Sequence, residues 1–426
     1  MSTMELPEIE LTGPVTAAKP CALHPQAMCP AFGALRVLAR IDGAHPVMAT
    51  DIGCNYGLTF VTHFYGSRKS LLTHQLGTSE LMQGDVVEGT RAAIEMAAQE
   101  PGCELIPVIS LCVAETAGLP EEMLPTRVGN AEVVLVRVPA YAIYSHPETK
   151  DVALSTVLAR LGEQDGPRAD KTVVILGEVF PADPLSIDHL LRRMGVEQTI
   201  VLPGRNVGDL RRAGRVGAVA PLHPFYSRTI TLFRSWRIPV VGGAPVGISG
   251  TYAWIKSLGE LLHLDPVLVN QVAEEERAAA QAVADQQPIQ CTVLVTGYEG
   301  TELAYARLLI EAGAHVPYVS TSIGQDPLVL PDELWLRRHG VHDIIYRKTL
   351  EHDIAALDAF NPDFVLGTTP FCNVAKARGI PALYFTNQLA ARPFFLSAGM
   401  AATAGFMRNA IGGNERARWM LDFFAE

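Results

Sequence analysis

Three cysteines stand where short apolar runs end or a helical pattern begins, and their thiolates could bind iron. Cys54 follows the run "VMATDI", after which "CNYG" is predicted to turn the chain, and Cys112 follows "LIPVISL". Cys29 precedes Pro30, a residue that favours the first turn of a helix. Because ligands of open α/β sheets bind at the carboxyl ends of the strands, we expect the three thiols at one edge of the first domain. They could hold iron or an iron–sulfur cluster there, or pack as small apolar side chains.

The other four cysteines do not complete this set. Cys103 lies at the opposite end of the run that Cys112 follows. Cys291 opens a strand of a later unit, and Cys372 lies in a different domain. Cys21, in an irregular lead-in, stays a candidate. Because a cluster ordinarily takes four ligands, the fourth must come from elsewhere, and the absence of any CxxC pair excludes zinc ribbons and ferredoxin-type runs.

The composition is that of an ordinary globular protein. The chain has 426 residues, of which 48% are hydrophobic and 19% are charged, and its net charge is −11. Its longest basic cluster is "LRRAGR", which argues against nucleic acid as a partner. No run of roughly 18 apolar residues and no targeting segment occurs. We expect a cytoplasmic protein and no transmembrane segment, and leave peripheral association with photosynthetic membranes open.

Short β-branched runs alternate with amphipathic helical patterns along the chain. The predicted strands cover residues 46–52, 105–111, 133–139, 172–179, 198–204, 217–221, 238–245, 291–297, 316–322, 343–347, 363–370 and 381–387. The clearest helical patterns cover residues 79–99, 184–195, 251–264, 267–288 and 301–313. This alternation predicts an α/β fold of parallel sheets with crossover helices.

Twelve strands suit three Rossmann-like domains better than one sheet. Polar segments near residues 168 and 288 mark the expected boundaries. The predicted units are a first α/β domain with the cysteines at 1–168, a second at 169–288, a third at 289–390, and a helical tail at 391–426 that packs back on the body.

Glycine-rich turns follow one strand in the second unit and one in the third. "LGEVFPADP" and "TGYEGTE" could cradle a phosphate, and so could "GGAPVGISGT", but ordinary strand-to-helix turns are the simpler interpretation. No GxGxxG motif and no Walker loop occurs. If nucleotide hydrolysis supports the reaction, another protein performs it.

Extended blocks in all three units resemble one family. They are "QAMCPAFGALRV", "GCNYGLTFVTHFYG", "LCVAETAGLP", "GEVFPADP", "HPFY", "PVVGGAPVGISGTYAW", "TGYEGTELAYARLLIEAGAHVPYV", "GTTP" and "GIPALYFTNQLAARP". Together they are similar to the Y subunits of chlorophyllide a reductase, a nitrogenase-like oxidoreductase of bacteriochlorophyll biosynthesis. The resemblance runs from residue 26 to about residue 393. It implies a fold like that of nitrogenase component 1.

The resemblance also implies partners and a cofactor. A separate iron–sulfur reductase hydrolyses ATP and passes on electrons, so ATP is not bound by this chain. The Y subunit and a Z subunit form a catalytic heterotetramer. Cys29, Cys54 and Cys112 then hold a [4Fe-4S] cluster, and the Z subunit supplies the fourth ligand.

The implied reaction reduces the C7=C8 double bond of chlorophyllide a with two electrons and two protons, giving 3-vinyl bacteriochlorophyllide a. A proton donor and an apolar slot for the chlorin are then needed. The segment after Cys54 offers His63, Tyr65, His74 and Glu80 as donors or cavity residues, with Arg68 and Lys69 as cations for the propionate. Each of these residues could instead have an ordinary structural role.

Three other functions fit parts of the pattern. An N-type subunit of light-independent protochlorophyllide reductase has the same architecture, although "CPAFGALRV" and "HFYG" favour the Y type. A nitrogenase-like scaffold for cofactor assembly is the second, and its neighbouring subunits would distinguish it. A two-lobed periplasmic-type binding protein is the third, and the lack of a signal peptide argues against it.

Overall fold

The chain forms three β-sheets one after another, each covered by helices. The structure is a computed structural model that describes residues 29–64, 72–177, 183–286, 288–392 and 394–412. This part of the chain contains thirteen strands and seventeen α-helices. The predicted α/β class with parallel sheets is confirmed.

The first sheet has the order β2-β1-β3-β5-β4 and is parallel except for its last pair, β4 and β5. Its strands are β1 (Val47–Thr50), β2 (Leu72–Gln75), β3 (Leu105–Ser110), β4 (Arg127–Val128) and β5 (Ala131–Arg137). The helices of this unit are α1 (Ala31–Leu38), α2 (Ile52–Phe64), α3 (Thr78–Gln83), α4 (Val86–Ala98), α5 (Cys112–Thr116) and α6 (His146–Leu161).

The second sheet has three parallel strands in the order β7-β6-β8. They are β6 (Ala169–Leu176), β7 (Gln198–Leu202) and β8 (Val216–Pro221). The helices are α7 (Asp183–Arg193), α8 (Val207–Arg212), α9 (Ser227–Ser235), α10 (Gly247–Leu261) and α11 (Pro266–Gln286).

The third sheet has five parallel strands in the order β11-β10-β9-β12-β13. They are β9 (Val293–Thr296), β10 (Tyr318–Ser320), β11 (Asp343–Ile345), β12 (Phe364–Gly367) and β13 (Ala382–Tyr384). The helices are α12 (Glu302–Glu311), α13 (Leu330–Arg338), α14 (Leu350–Phe360), α15 (Thr369–Ala377), α16 (Phe385–Ala391) and α17 (Leu396–Gly412).

The central strands are apolar along their whole length because helices cover both faces of the sheets. Every residue of β1, β3, β8 and β9 is buried. One apolar core extends through all three units and includes Leu35 of α1, Leu154 of α6, Trp254 of α10 and Met400 of α17. The three sheets therefore form one continuous body rather than separate cores.

Helix α6 makes polar contacts with the other two units. The Glu148 carboxylate forms a two-point ion pair with Arg347, with N···O distances of 2.5 and 2.7 Å. The Asp151 carboxylate accepts the backbone N–H groups of Arg228 and Thr229 at 2.8 and 2.9 Å. Burial raises the pKa of Asp151 to about 6, although those hydrogen bonds oppose the rise. The first six residues of α6 thus fix the first unit to the second and the third.

Eleven of the twelve predicted strands form, and two elements differ from the predictions. The segment 238–245 makes only an isolated bridge, Val219 to Val240, in place of a strand. The helix predicted over 79–99 is two helices, α3 and α4, because Gly84 ends α3 in the left-handed conformation at φ 72°. β2 and β4 were not predicted.

The boundaries at residues 168 and 288 stay a prediction. Helix α17 packs against α10, α11 and α12, and the backbone N–H of Leu396 donates to the Pro245 carbonyl at 2.8 Å. No helix in the described ranges is long and apolar enough to cross a membrane.

Candidate metal centre and the cavity beside it

Cys54 lies in the first turn of α2, directly after β1. The prediction of a turn at this point was wrong, because Asp51 starts a helix there: its Oδ1 accepts the backbone N–H groups of Gly53 and Cys54 at 2.9 and 3.0 Å. Such a carboxylate satisfies N–H groups that have no partner within the helix. Cys54 is therefore at the carboxyl end of β1, as expected, but in a helix.

Cys112 has the same position on the neighbouring strand. β3 ends at Ser110, α5 begins at Cys112, and the Sγ atom accepts the backbone N–H of Ala140 at 3.1 Å. β1 and β3 are parallel neighbours in which Ala49 pairs with Ser110. Cys54 and Cys112 thus follow adjacent strands at one edge of the first sheet.

Cys29 immediately precedes the N-cap of α1, Pro30. Its carbonyl accepts the backbone N–H of Phe32 at 3.0 Å, which closes the first turn. Helix α1 packs against α2. Burial raises the pKa of the Cys54 thiol to about 12, and Asp51 and the Cys29 thiol add to the rise. Cys29 and Cys54 are therefore electrostatic neighbours.

The three thiols fit an iron–sulfur cluster better than a single metal ion. Each lies at or near the amino end of a helix, where the helix dipole favours a thiolate. Among residues in the described ranges, no three His, Cys, Asp or Glu side chains converge as ligands of one ion. A cubane cluster holds its thiolates further apart than a single ion does, and takes four ligands.

The other described cysteines lie apart from this edge. Cys103 precedes β3, with its Sγ 3.9 Å from the Leu105 carbonyl oxygen. Cys291 and Cys372 are buried in the third unit, and burial raises the pKa of each thiol to about 11. Cys21 lies outside the described residues.

The segment from His63 to Glu80 leaves the cysteine edge and returns to it. Helix α2 carries the backbone away, and β2 then pairs with β1 so that His74 lies opposite Ala49, one residue before the end of β1. The structure describes the backbone of His63 and His74 but not their side chains, while Tyr65, Arg68 and Lys69 lie outside the described residues. Glu80 has a structural contact: its Oε2 accepts the backbone N–H of Gly77 at 3.0 Å, in a capping box.

A buried polar cluster at the junction of the three sheets was not predicted. Its centre is Glu299, in the loop between β9 and α12. Three cationic or ionisable nitrogens approach its Oε2: Arg36 Nη1 at 3.5 Å, His146 Nε2 at 3.3 Å and Lys150 Nζ at 3.7 Å. The Thr386 hydroxyl donates to its Oε1 at 3.0 Å. The glycine-rich block "TGYEGTE" was the only sequence signal for this site.

Two neighbouring carboxyl groups in this cluster have opposite pKa shifts. Burial opposes the ionisation of Glu299, but Arg36 and Lys150 outweigh it and hold the pKa of Glu299 below its usual value. Burial raises the pKa of Glu302 to about 7, although it accepts hydrogen bonds from the Thr321 hydroxyl and the Glu299 N–H at 2.7 and 2.8 Å. Glu299 is thus the charged member of the pair.

A cavity of about 40 Å³ lies beside Glu299. Its polar wall includes Arg36, Lys150 and Thr301. Arg36 is on α1, seven residues after Cys29, so at about 1.5 Å per residue the two Cα atoms are roughly 10 Å apart along the helix. The cavity is therefore near the cysteine edge.

The family of the chain is decided by its match to the model of nitrogenase component 1 type oxidoreductases, which covers residues 29–411. The chain belongs to this family. Nitrogenase component 1 type oxidoreductases imply a bound iron–sulfur cluster and a multi-subunit complex with a reductase component. The match includes all three cysteines of the candidate metal centre.

Particular relatives of this component 1 type chain narrow the comparison. It is 39% identical to the chlorophyllide reductase 52.5 kDa chain of Rhodobacter capsulatus, over 97% of this chain and 86% of that one. It is 39% identical to the chain of the same name from Cereibacter sphaeroides, over 94% and 82%. It is 24% identical to a light-independent protochlorophyllide reductase chain of Prochlorococcus marinus, over 83% and 70%. A solved structure, nitrogenase Cp1 at pH 6.5, has the same fold, with a TM-score of 0.78 at 19% identity over 96% and 95%.

Proposed function

We propose that this chain is the Y subunit of chlorophyllide a reductase. In this role it forms a heterotetramer with a Z subunit and reduces the C7=C8 double bond of chlorophyllide a, which gives 3-vinyl bacteriochlorophyllide a. A separate ATP-dependent iron–sulfur reductase delivers the electrons, and the complex acts in the cytoplasm. The observation that carries the proposal is the 39% identity to two chlorophyllide reductase chains over nearly the whole sequence.

Cys29, Cys54 and Cys112 are the residues that we propose as ligands of a [4Fe-4S] cluster. The fourth ligand comes from the Z subunit, since the other described cysteines lie apart from this edge. When bound, the cluster accepts and donates single electrons. The chain contributes three helix starts that favour thiolates, and the Asp51 carboxylate keeps the first turn of α2 in place.

The chlorin site that we propose includes the segment from His63 to Glu80. Because β2 returns this segment to the carboxyl end of β1, its backbone is near the cysteines. A chlorin needs an apolar slot, a group that can protonate the ring carbon, and cations for the propionate. His63, Tyr65 and His74 remain proposed donors; Glu80 remains one as well, although it caps α3.

Anaerobic co-purification of the chain with its Z partner tests this function. We expect bound iron, an electron paramagnetic resonance signal after reduction, and conversion of chlorophyllide a to a bacteriochlorin when the reductase and ATP are added. Absorption spectra distinguish the two rings. A complex that contains no iron, or one that leaves chlorophyllide a unchanged, contradicts the proposal.

Protochlorophyllide serves as the competing substrate in the same assay. The relationship to a light-independent protochlorophyllide reductase chain, at 24% identity, gives the N-type alternative its specific support. The Y assignment requires turnover of chlorophyllide a and none of protochlorophyllide. The reverse preference would assign the chain to the alternative enzyme.

A further inference from the structure

The cavity beside Glu299 has more cationic than anionic groups in its wall. Arg36, Lys150 and His223 line it together with the single carboxylate of Glu299. The N···O distances of 3.5 and 3.7 Å to Arg36 and Lys150 exceed the roughly 2.7–2.9 Å of close charge-assisted hydrogen bonds. Arginine has five N–H donors and lysine three, so both can bind a second acceptor as well as Glu299.

Thr301 provides an independent sign of a ligand. Its side chain lines the cavity and is 2% exposed, and within the described part of the chain its hydroxyl has no hydrogen-bond partner. A buried hydroxyl without a partner is costly unless something binds it. Thr301 also precedes α12, a ten-residue helix, so the positive end of a helix dipole is at the same wall.

The size and the opposite wall of the cavity restrict the ligand. About 40 Å³ is room for roughly three water molecules or one small planar group. Phe225, Leu389, Phe394 and Phe395 form the apolar side. A group with negative charge attached to an apolar body suits such a wall, and a bulky phosphate does not fit the space.

We propose that this cavity binds a single carboxylate, with Arg36, Lys150 and the Thr301 hydroxyl as its donors. The carboxylate has two sources: the propionate of a chlorin, which rests on the proposed function, or a free small carboxylate, which does not. In either case Glu299 sets the charge balance, so the site takes one negative charge and not two.

Binding measurements on the full chain, co-purified with its partner and without reductase or ATP, test the site. Fluorescence quenching compares chlorophyllide a with its methyl ester, and calorimetry measures sodium formate. We expect the free acid to bind about 10- to 100-fold more tightly than the ester, because the ester loses charge-assisted hydrogen bonds. The variants are Thr301→Val, which keeps the side-chain volume, and Lys150→Met.

The outcomes separate the two sources. A preference for the acid that disappears in Thr301→Val and Lys150→Met, but not in the exposed control Lys171→Met, supports the site with the propionate as ligand. Formate binding that the first two variants lose, with acid and ester equal, supports a free carboxylate. Equal binding of acid and ester with no heat from formate overturns the proposal, and Thr301→Val keeps this result interpretable if Lys150→Met does not fold.

Discussion

Cys29, Cys54 and Cys112 share a local environment that their separate sequence contexts do not reveal. Each begins a helix or lies within its first turn, and two of them follow neighbouring parallel strands. The fold thus brings together residues 25 and 58 positions apart and presents each thiol to the positive end of a helix dipole. Buried cysteines elsewhere in the chain lack this setting.

We expect Cys29→Ala, Cys54→Ala and Cys112→Ala each to abolish the cluster signal and turnover, since each change opens an iron site. Cys103→Ala and Cys372→Ala are the matched controls, because they remove only packing. Iron content and electron paramagnetic resonance of the purified complex are the measurements. Full signal and turnover in Cys54→Ala would show that the ligand set is wrong.

The proton donor can be tested one residue at a time. We expect at least one of His63→Phe, Tyr65→Phe, His74→Ala and Glu80→Gln to slow single-turnover ring reduction on the order of a hundredfold, as loss of a general acid does. Glutamine also serves in a capping box, so Glu80→Gln removes the acid and keeps the cap. The cluster signal is the control. Near-normal rates in all four variants place the donor in the Z subunit, the pigment's propionate or water.

At the scale of elements, the start of α12 gives the stability of the protein a pH dependence. The pKa of Glu302 rises from 4.5 to about 7 on folding, because of burial and the nearby Glu299 carboxylate. The folded state therefore binds this proton more tightly, and the contribution to stability is complete below pH 4.5 and lost as the pH rises through 7.

Glu302→Gln should remove this dependence. Between pH 5 and 8 we expect the free energy of unfolding of the wild type to fall relative to that of Glu302→Gln, by up to about 3 kcal/mol. Urea unfolding at several pH values measures the difference, with the exposed Glu95→Gln as control. Parallel pH profiles of wild type and Glu302→Gln would contradict the expectation.

A buried ion pair stabilises the third sheet. Lys348 Nζ is 2.5 Å from the Asp353 carboxylate, with the two side chains 1% and 0% exposed, and the Ser320 and Tyr318 hydroxyls also donate to Asp353. Lys348→Met leaves a buried charge without its cation, which costs about 3–5 kcal/mol. Lys171→Met breaks an exposed pair and should cost less than about 1 kcal/mol. Equal unfolding midpoints in urea for the two variants would refute this.

Patterns in the sequence were enough to predict most strands but not every break. Apolar β-branched runs identified eleven strands, since burial on both faces leaves a continuous signal. Segment 238–245 has that signal too, but Pro239 has no N–H to donate and Gly243 adopts φ 74°, so only one bridge forms. The short strand β2, "LTHQ", is too polar to be recognised as a strand.

The candidate site divides in the same way. The cysteine edge was predictable, because strand ends and helix starts are local features. The Glu299 cluster was not, since Arg36 and Glu299 are 263 positions apart and meet only when the three sheets pack together. Only the short segment around Glu299 carried a signal, and it matched an ordinary turn.

At the scale of the whole molecule, the energy source lies outside this chain. The sequence has no Walker loop, and its family implies a separate reductase component. We expect the purified complex with its partner to bind no ATP by isothermal titration, while its turnover requires both ATP and the reductase. Micromolar ATP binding by the complex without the reductase would contradict this.

The two-sided contacts of α6 have a consequence for how the protein comes apart. Glu148 and Asp151, within one turn of each other, fix the third and the second unit to the first. No unit can open without breaking buried polar contacts in α6 that also support its neighbours. The three sheets should therefore melt in a single cooperative transition, and backbone amides of α6 should exchange with solvent only when the entire molecule unfolds.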